Sequence, residues 1–242
     1  MVAFRPAPAR LAFLALALAL AAENPHAQHT GQAGRPGRTV FVPDPRAGAG
    51  PGVVLGQRKI SSSTAGFLDA LDQRDRFGNS VAVLGDLDGD GNPEIAVGAP
   101  GDVNGALETD AAGSSNGAVW LLFMDAAGAV KSYRKHVVEP RTTSGAFADE
   151  FGVSVAALGD LDGDGRSELA VGALGDDDGG SDRGAVYVLF LGASGSVRVR
   201  QKISAPSGGF TGHLDNLDRF GAAVAGLGAL EGDGVGALAV GS

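Results

Sequence analysis

Two nine-residue loops carry closely spaced carboxylates whose chemistry points to a hard metal ion. The first runs from Asp86 to Glu94 (DLDGDGNPE) and the second from Asp160 to Glu168 (DLDGDGRSE). Each has carboxylates at positions 1, 3, 5 and 9 and glycine at positions 4 and 6. Four like charges this close together repel one another unless a cation neutralises them. Oxygen ligands at odd positions, with glycines that permit a left-handed turn, suit Ca²⁺ coordination.

The position of each residue in the loop predicts its role. Carboxylates serve as ligands at positions 1, 3, 5 and 9, and the apolar residue at position 2 points inward and holds the loop. Position 7 contributes its backbone carbonyl, so a basic side chain is tolerated there. The predicted ligands are Asp86, Asp88, Asp90, Asn92 and Glu94 in the first loop, and Asp160, Asp162, Asp164, Arg166 and Glu168 in the second, with Asn92 and Arg166 acting through the backbone carbonyl.

A third copy of the loop, Ala229 to Ala237, is degenerate. It has lost the carboxylates at positions 1 and 9 and keeps only Glu231 and Asp233. Weak or no metal binding is predicted there, because too few oxygen ligands remain to satisfy Ca²⁺.

The calcium interpretation has alternatives. An EF-hand requires a glutamate at position 12, where this chain has Val97 and Val171, and flanking helices, where strands are predicted here. Solvated Asp-rich turns are one alternative and paired catalytic carboxylates are another. The catalytic alternative is disfavoured because the loops lack the apolar setting that raises a carboxyl pKa, and no catalytic residue is predicted. The Asp176–Asp178 run is interpreted as a solvated turn, with a second cation site as its alternative.

The elements that position these loops belong to a sequence repeat. Phe-Gly pairs begin at Phe77, Phe151 and Phe220, so the period is about 70 residues. Each unit offers four short apolar or β-branched runs that Gly and Asp turns separate, with no helical period between them. In the first unit these runs lie at 76–85, 94–99, 117–123 and 135–138, and in the second at 150–159, 168–173, 184–190 and 201–204.

These repeats predict an all-β fold, a β-propeller of four-stranded antiparallel blades, with a β-sandwich as the rival architecture. A single sheet of this kind cannot bury both faces, whereas radial stacking does so and protects the edges. The chain holds two full blades, 77–138 and 151–204, and two half-blades. A closed ring usually has at least four blades. The chain is therefore expected to be truncated or to close by oligomerisation.

The first part of the chain is predicted to be an export signal rather than part of the fold. Arg5 and Arg10 precede an apolar run, Leu11 to Ala22, that is too short to span a bilayer. Residues 1–22 are therefore predicted to be a signal peptide, with cleavage between 21 and 27. Residues 23–56 form a Pro/Gly-rich linker with degenerate strands, and residues 57–242 form the repeats. No segment after the signal peptide is predicted to cross a membrane.

The composition narrows the classes of partner. The formal charge is −9 and the isoelectric point is about 4.8, which disfavours a nucleic-acid partner. The absence of cysteine excludes disulfides, thiolate metal sites and a cysteine nucleophile. Secretion is compatible with this composition, because a chain of this length can be stable without disulfides.

The assembled motifs resemble the FG-GAP repeat family, the integrin alpha-subunit-like propeller repeats, in its bacterial secreted type. The matching residues are Phe77-Gly78, the Asp86 to Glu94 loop, Val97-Gly98-Ala99-Pro100 and their later copies. The resemblance implies a propeller, typically of seven blades, with Ca²⁺ in the loops between strands one and two. It also implies roles in adhesion and ligand binding, sometimes beside a catalytic domain. The small number of blades and the degenerate third loop depart from the family.

The leading hypothesis is a secreted, calcium-binding, non-catalytic module that serves adhesion, ligand binding or scaffolding. In an antiparallel meander the metal loops lie at the opposite end of each blade from the long variable loops. An extracellular protein or glycan is therefore expected to bind on the face opposite the metal loops. The first alternative is the propeller portion of a secreted hydrolase or lyase whose catalytic domain is absent from this chain. A structural repeat protein of the cell envelope is a third hypothesis.

Overall fold

The computed structural model of this 242-residue chain describes residues 2–4, 57–63, 66–67, 71, 74–102, 116–138, 149–229 and 236–242. All regular structure in these ranges is β, as predicted, and none of it is helical. Accordingly, the described residues contain no helix with the length and hydropathy needed to cross a bilayer. The strands are β1 (Val2–Phe4), β2 (Ser80–Gly85), β3 (Glu94–Ala99), β4 (Ala118–Met124), β5 (Val130–Val137), β6 (Val155–Gly159), β7 (Glu168–Ala173), β8 (Ala185–Leu191), β9 (Val197–Ile203), β10 (Ala223–Ala229) and β11 (Gly236–Gly241).

The strands form two complete blades and part of a third. Strands β2 to β5 make one antiparallel meander and β6 to β9 make an equivalent one. Strands β10 and β11 begin a third sheet, in which β1 pairs with the free side of β11. The prediction of four-stranded antiparallel blades is confirmed. The other predicted half-blade falls mainly on residues 39–56, and most of the predicted signal peptide also lies outside the described residues; both stay predictions.

The middle strands of the two complete blades are almost entirely buried, and every residue of β3, β4 and β7 is buried. Sheets lie on both sides of the second blade, whereas one face of the first blade is covered by the second blade and the other by the segment that holds Ile60 and Phe67. The outermost strands are different. The sequence predicts them only from Lys135 and Gln201 onward, whereas β5 begins at Val130 and β9 at Val197. The first part of each outer strand has exposed polar or charged residues, so its apolar alternation is too weak to predict a strand there.

The hydrophobic core lies between successive sheets rather than within one of them. Phe151, Leu169 and Tyr187 of the second blade pack with Val119 and Leu121 of the first. A separate cluster joins the second blade to the third sheet through Val186, Phe220 and Leu238. A single blade therefore does not bury its own apolar faces, which is the physical reason for the repeat.

The Phe-Gly turns connect each blade to the one before it. The Phe151 N–H donates a hydrogen bond to the Asn116 carbonyl at 3.0 Å, which joins the second blade to the first. The Ser80 hydroxyl of the first blade donates to the Gly152 carbonyl at 2.8 Å. Ser154 repeats this bond with Gly221 at 2.7 Å, so each turn accepts a bond from the preceding blade. These bonds hold the first strands of adjacent blades side by side.

His136 adds a pH-dependent contact between the two complete blades. Its Nε2 lies 2.8 Å from the Gly195 carbonyl, and burial lowers the pKa of the imidazole, with Arg134 and Arg200 acting in the same direction. Below about pH 6.5 the unfolded chain is protonated at this residue before the folded one, so stability falls as the pH drops. We expect His136→Gln to weaken this dependence. Urea unfolding in EDTA at about pH 7.5 and pH 5.5 measures it, and equal losses in both proteins would contradict the assignment.

Candidate metal centre

The two acidic loops connect the first and second strands of the complete blades. One joins β2 to β3 and the other joins β6 to β7. The leucines at position 2 point inward as expected, since Leu87 is 2% and Leu161 is 7% exposed. Both side chains belong to clusters that lie between sheets. Each loop is therefore fixed to the core by one leucine side chain. The three aspartates of the first loop are exposed, whereas in the second loop Asp162 is exposed and Asp160 and Asp164 are half-buried.

The aspartate at position 1 organises each loop around itself. The Asp86 carboxylate accepts hydrogen bonds from the backbone N–H groups of Gly89, Asp90 and Gly91 at 2.7, 3.1 and 2.9 Å. Gly89 and Gly91 have φ angles of 82° and 86°, which glycine adopts without a steric cost. Asp160 accepts the equivalent bonds in the second loop. The glycines at positions 4 and 6 are therefore needed to turn the backbone toward this carboxylate.

Three carboxylates come together in each loop, but the sets differ. Oxygens of Asp86, Asp88 and Asp90 lie within 4.8 Å of one another in the first loop. In the second loop the gathered residues are Asp160, Asp162 and Glu168. Glu94 and Asp164 are outside their respective groups. Each group offers three carboxylate oxygens that could coordinate one metal ion. Oxygen is the ligand atom that Ca²⁺ and Mg²⁺ prefer.

The glutamate at position 9 is fully buried in both loops. Glu94 and Glu168 are 0% exposed, and one oxygen of each accepts a hydrogen bond from the position 2 backbone N–H. The other oxygen, Oε1, is buried and has no hydrogen-bond partner in either residue. An unpaired buried carboxylate oxygen is costly in free energy. A cation placed among the loop carboxylates would supply the missing partner, so these residues fit a metal ion.

The expectation that the loops lack an apolar setting is wrong at position 9. Desolvation by burial raises the pKa of Glu94, and it raises the pKa of Glu168 to about 7. The cause is that each glutamate is the first residue of a fully buried strand, β3 or β7. The raised pKa does not favour the alternative of paired catalytic carboxylates. Both glutamate side chains are 0% exposed and so cannot contact a substrate from solvent.

The position 7 residues use their side chains as well. The Asn92 amide donates to Asp90 at 3.0 Å. The Arg166 guanidinium donates to the Leu87 carbonyl at 3.1 Å, which connects the second loop to the first, and it also pairs with Asp164 at 3.3 Å. No feature of the sequence pattern predicted these contacts. The predicted use of the two backbone carbonyls as ligands stays a prediction, as does the weak third loop, whose residues 230–235 lie outside the described residues.

Two basic residues on the outer strands contact the loops, and the sequence reasoning missed them. Lys131 in β5 pairs with Asp88 and Asp90, and Arg198 in β9 pairs with Asp162 and Asp164. The hydrogen bond from Lys131 is the main cause that lowers the pKa of Asp90. A signal was present in the repeat. Each basic residue stands three positions after the glycine of the preceding turn and directly after a valine.

The other end of each blade holds a buried ion pair. Asp176 is 1% exposed and is bound by the Lys202 ammonium and the Tyr187 hydroxyl, at 2.7 and 3.0 Å. Asp102 and Lys135 form the corresponding pair in the first blade at 2.6 Å. The interpretation of the Asp176–Asp178 run as a solvated turn is therefore wrong for Asp176. Its carboxylate is buried, and Lys202 of the outer strand β9 neutralises it.

Comparison with known proteins agrees with the repeat structure. A family model described as the FG-GAP repeat matches residues 77–122 and 151–189, which cover the first two strands and most of the third strand of each complete blade. Integrin alpha-5 of Xenopus laevis is 38% identical over 111 residues, which is 46% of this chain and 10% of that protein. Integrin alpha-6 of Homo sapiens is 32% identical over 183 residues, 72% of this chain and 14% of that protein.

A relative of another kind shares the same region. Phosphatidylinositol-glycan-specific phospholipase D of Bos taurus is 29% identical over 146 residues, 60% of this chain and 16% of that protein. The chain thus spans only 10% to 16% of the length of these three relatives. With the two four-stranded sheets and their in-phase loops, these similarities show that the chain carries FG-GAP repeats of the integrin alpha type, folded as β-propeller blades.

Proposed function

We propose that this chain is a secreted, non-catalytic propeller module in which Ca²⁺ bound at the two acidic loops stabilises each blade. The observation that carries the proposal is the buried, unpaired Oε1 of Glu94 and Glu168. Glu168 belongs to the carboxylate group of the second loop, and Glu94 experiences the charges of Asp86 and Asp88 in the first. The full ligand set is the one that the sequence predicts. Calcium would neutralise the clustered charge and connect the first and second strands of a blade. Affinities on the order of 10⁻⁴ to 10⁻³ M would suit an extracellular module.

The surface that we propose for an extracellular protein or glycan ligand lies at the opposite end of the blades. Lys131 follows the β4–β5 turn and contacts the metal loop, which places those two turns at one end. At the other end, the 174–184 and 205–219 segments contact each other, for example through Leu217 N–H and the Ser181 carbonyl at 3.0 Å. Leu217 is 63% exposed and has a positive φ of 71°, and backbone strain of this kind supports a functional role for the segment.

Calcium stoichiometry tests the metal part of the proposal. We expect equilibrium dialysis of metal-stripped protein against CaCl₂ to give two ions per chain, one for each complete loop. Asp86→Asn and Asp160→Asn should each remove one ion, because each substitution removes a charged ligand that also orders its loop. Ser132→Ala is a matched control on the exposed face of β5 and should leave both ions bound. Absence of bound calcium in the unaltered protein would contradict the proposal.

A second candidate function is the propeller portion of a secreted hydrolase or lyase. The observation that favours it is the similarity to the phospholipase D named above. In this case the catalytic groups lie in another domain, and the blades serve as its scaffold. The sequence of the complete gene separates the two candidates. A domain with clustered catalytic groups beside the repeats favours the enzyme, whereas further repeats alone favour a binding module.

A further inference from the structure

Each acidic loop has its own cationic side chain, supplied by the fourth strand of the same blade. Lys131 is the second residue of β5 and Arg198 is the second residue of β9. The Lys131 ammonium lies 2.7 Å from Asp88 Oδ2 and also contacts Asp90 Oδ2. Arg198 contacts Asp162 Oδ2 and lies 3.0 Å from Asp164 Oδ2. The same arrangement therefore occurs twice, at equivalent positions of two blades.

These basic groups occupy the oxygens that a metal ion needs. In the first loop, Asp88 Oδ1 and Asp90 Oδ1 already accept backbone N–H groups at 3.2 and 2.8 Å. The outward oxygens, Oδ2 of both residues, are the ones that face Lys131. A hard divalent cation would seek these same charged oxygens. An ion that binds through them must displace the ammonium.

We propose that Lys131 and Arg198 are tethered counterions that compete with the divalent cation and so set the affinity of each loop. This inference rests on the proposed calcium function. Without the ion, the basic group neutralises part of the loop charge and keeps the blade folded. With the ion bound, the basic group is released toward solvent. The side chains of Lys131 and Arg198 are 31% and 42% exposed, so each has room to move away.

The two loops differ in the number of cationic groups that they hold. The first loop has four carboxylates and Lys131. The second has four carboxylates with both Arg198 and Arg166, because Arg166 also pairs with Asp164. More positive charge at the second loop weakens its attraction for a cation. Calcium therefore binds the first loop more tightly than the second.

Calorimetric titration with CaCl₂ tests the competition. Lys131→Met is made in an Asp160→Asn background, so that only the first loop is titrated, and Arg198→Met is made in an Asp86→Asn background. We expect each methionine to raise the calcium affinity of its loop by roughly fivefold, because one competing charge is removed. We also expect each to lower the unfolding temperature in EDTA, because the loop carboxylates then lose their counterion.

Two control variants distinguish competition at the loop from the effect of lowering the positive charge of the protein as a whole. Arg134→Met and Arg200→Met remove the same charge from the same two strands, but these side chains donate to the Ser194 and Val137 carbonyls rather than to the loops. Their calcium affinities should change by less than about twofold, since exposed charges at longer range are screened. Equal gains from Lys131→Met and Arg134→Met would overturn the inference.

Calcium binding by the unaltered protein and by Lys131→Met is compared. If the unaltered protein binds calcium and Lys131→Met binds it no more tightly, only the tethered counterion is overturned. If neither protein binds calcium, the proposed function fails as well. A weaker affinity in Lys131→Met would show that the lysine supports the bound ion instead of competing with it, which also overturns the inference.

Discussion

Replacement of Gly152 by alanine should lower the free energy of unfolding by about 3 kcal/mol or more. Gly152 has a φ of 91°, a conformation that residues with a side chain rarely adopt. An added Cβ would also overlap the carbonyl oxygen of Ala118 in the neighbouring blade and approach a methyl group of Val119 at 3.2 Å. The obstacle is backbone, so it cannot move aside without separating the blades.

Gly209→Ala is the matched control for this substitution. Gly209 has a similar positive φ of 72°, but no heavy atom lies within 4 Å of the position that a Cβ would take. Its replacement should cost about 1 to 2 kcal/mol, the penalty of the left-handed backbone alone. Urea unfolding of both variants at one calcium concentration measures the difference. Equal losses would show that close contact between blades at the Phe-Gly turn contributes nothing beyond local backbone strain.

The sequence predicted the blades well because their signals are local and repeated. The Phe-Gly pairs, the glycines of the acidic loops and the apolar runs of the inner strands each depend on neighbouring residues, so one copy can be checked against the next. The fourth strands were placed too far along the chain. Their alternation is weak, since Lys131, Ser132 and Arg134 lie on an outer strand that faces solvent. Composition alone does not distinguish such a strand from a turn.

The candidate site was predicted less completely, because part of it depends on contacts between distant residues. Lys131 lies far along the chain from Asp88, and only the meander of the sheet brings the two together. Glu168 is the first residue of β7, and the sheets on both sides of that strand bury it. The acidic pattern identifies which residues could bind a cation. It does not show which carboxylate is desolvated or which basic group neutralises the others.

The double substitution Glu94→Gln, Glu168→Gln should leave the protein as stable as the unaltered one, or more stable, in EDTA. In calcium the same variant should be less stable than the unaltered protein. In EDTA, both glutamates of the unaltered protein hold a buried oxygen without a hydrogen-bond partner. About pH 8 is chosen because it lies above the pKa of about 7 of Glu168. Glutamine keeps an acceptor for the position 2 backbone N–H and removes the buried charge. The variant should therefore be as stable as the unaltered protein, or more stable by about 1 kcal/mol.

Calcium should favour the unaltered protein, because only its loops retain the position 9 carboxylates. A ligand at 100 times its dissociation constant stabilises the folded state by about 2.7 kcal/mol per site, so two sites give roughly 5 kcal/mol. The double variant should gain little of this. Glu150→Gln, which changes a glutamate outside the loops, is the control and should gain as much as the unaltered protein. Urea unfolding with and without calcium measures the stability that calcium adds to each of the three proteins. If the double variant gains as much stability as the control, the buried glutamates do not bind the ion, and the unpaired oxygens no longer support a metal site.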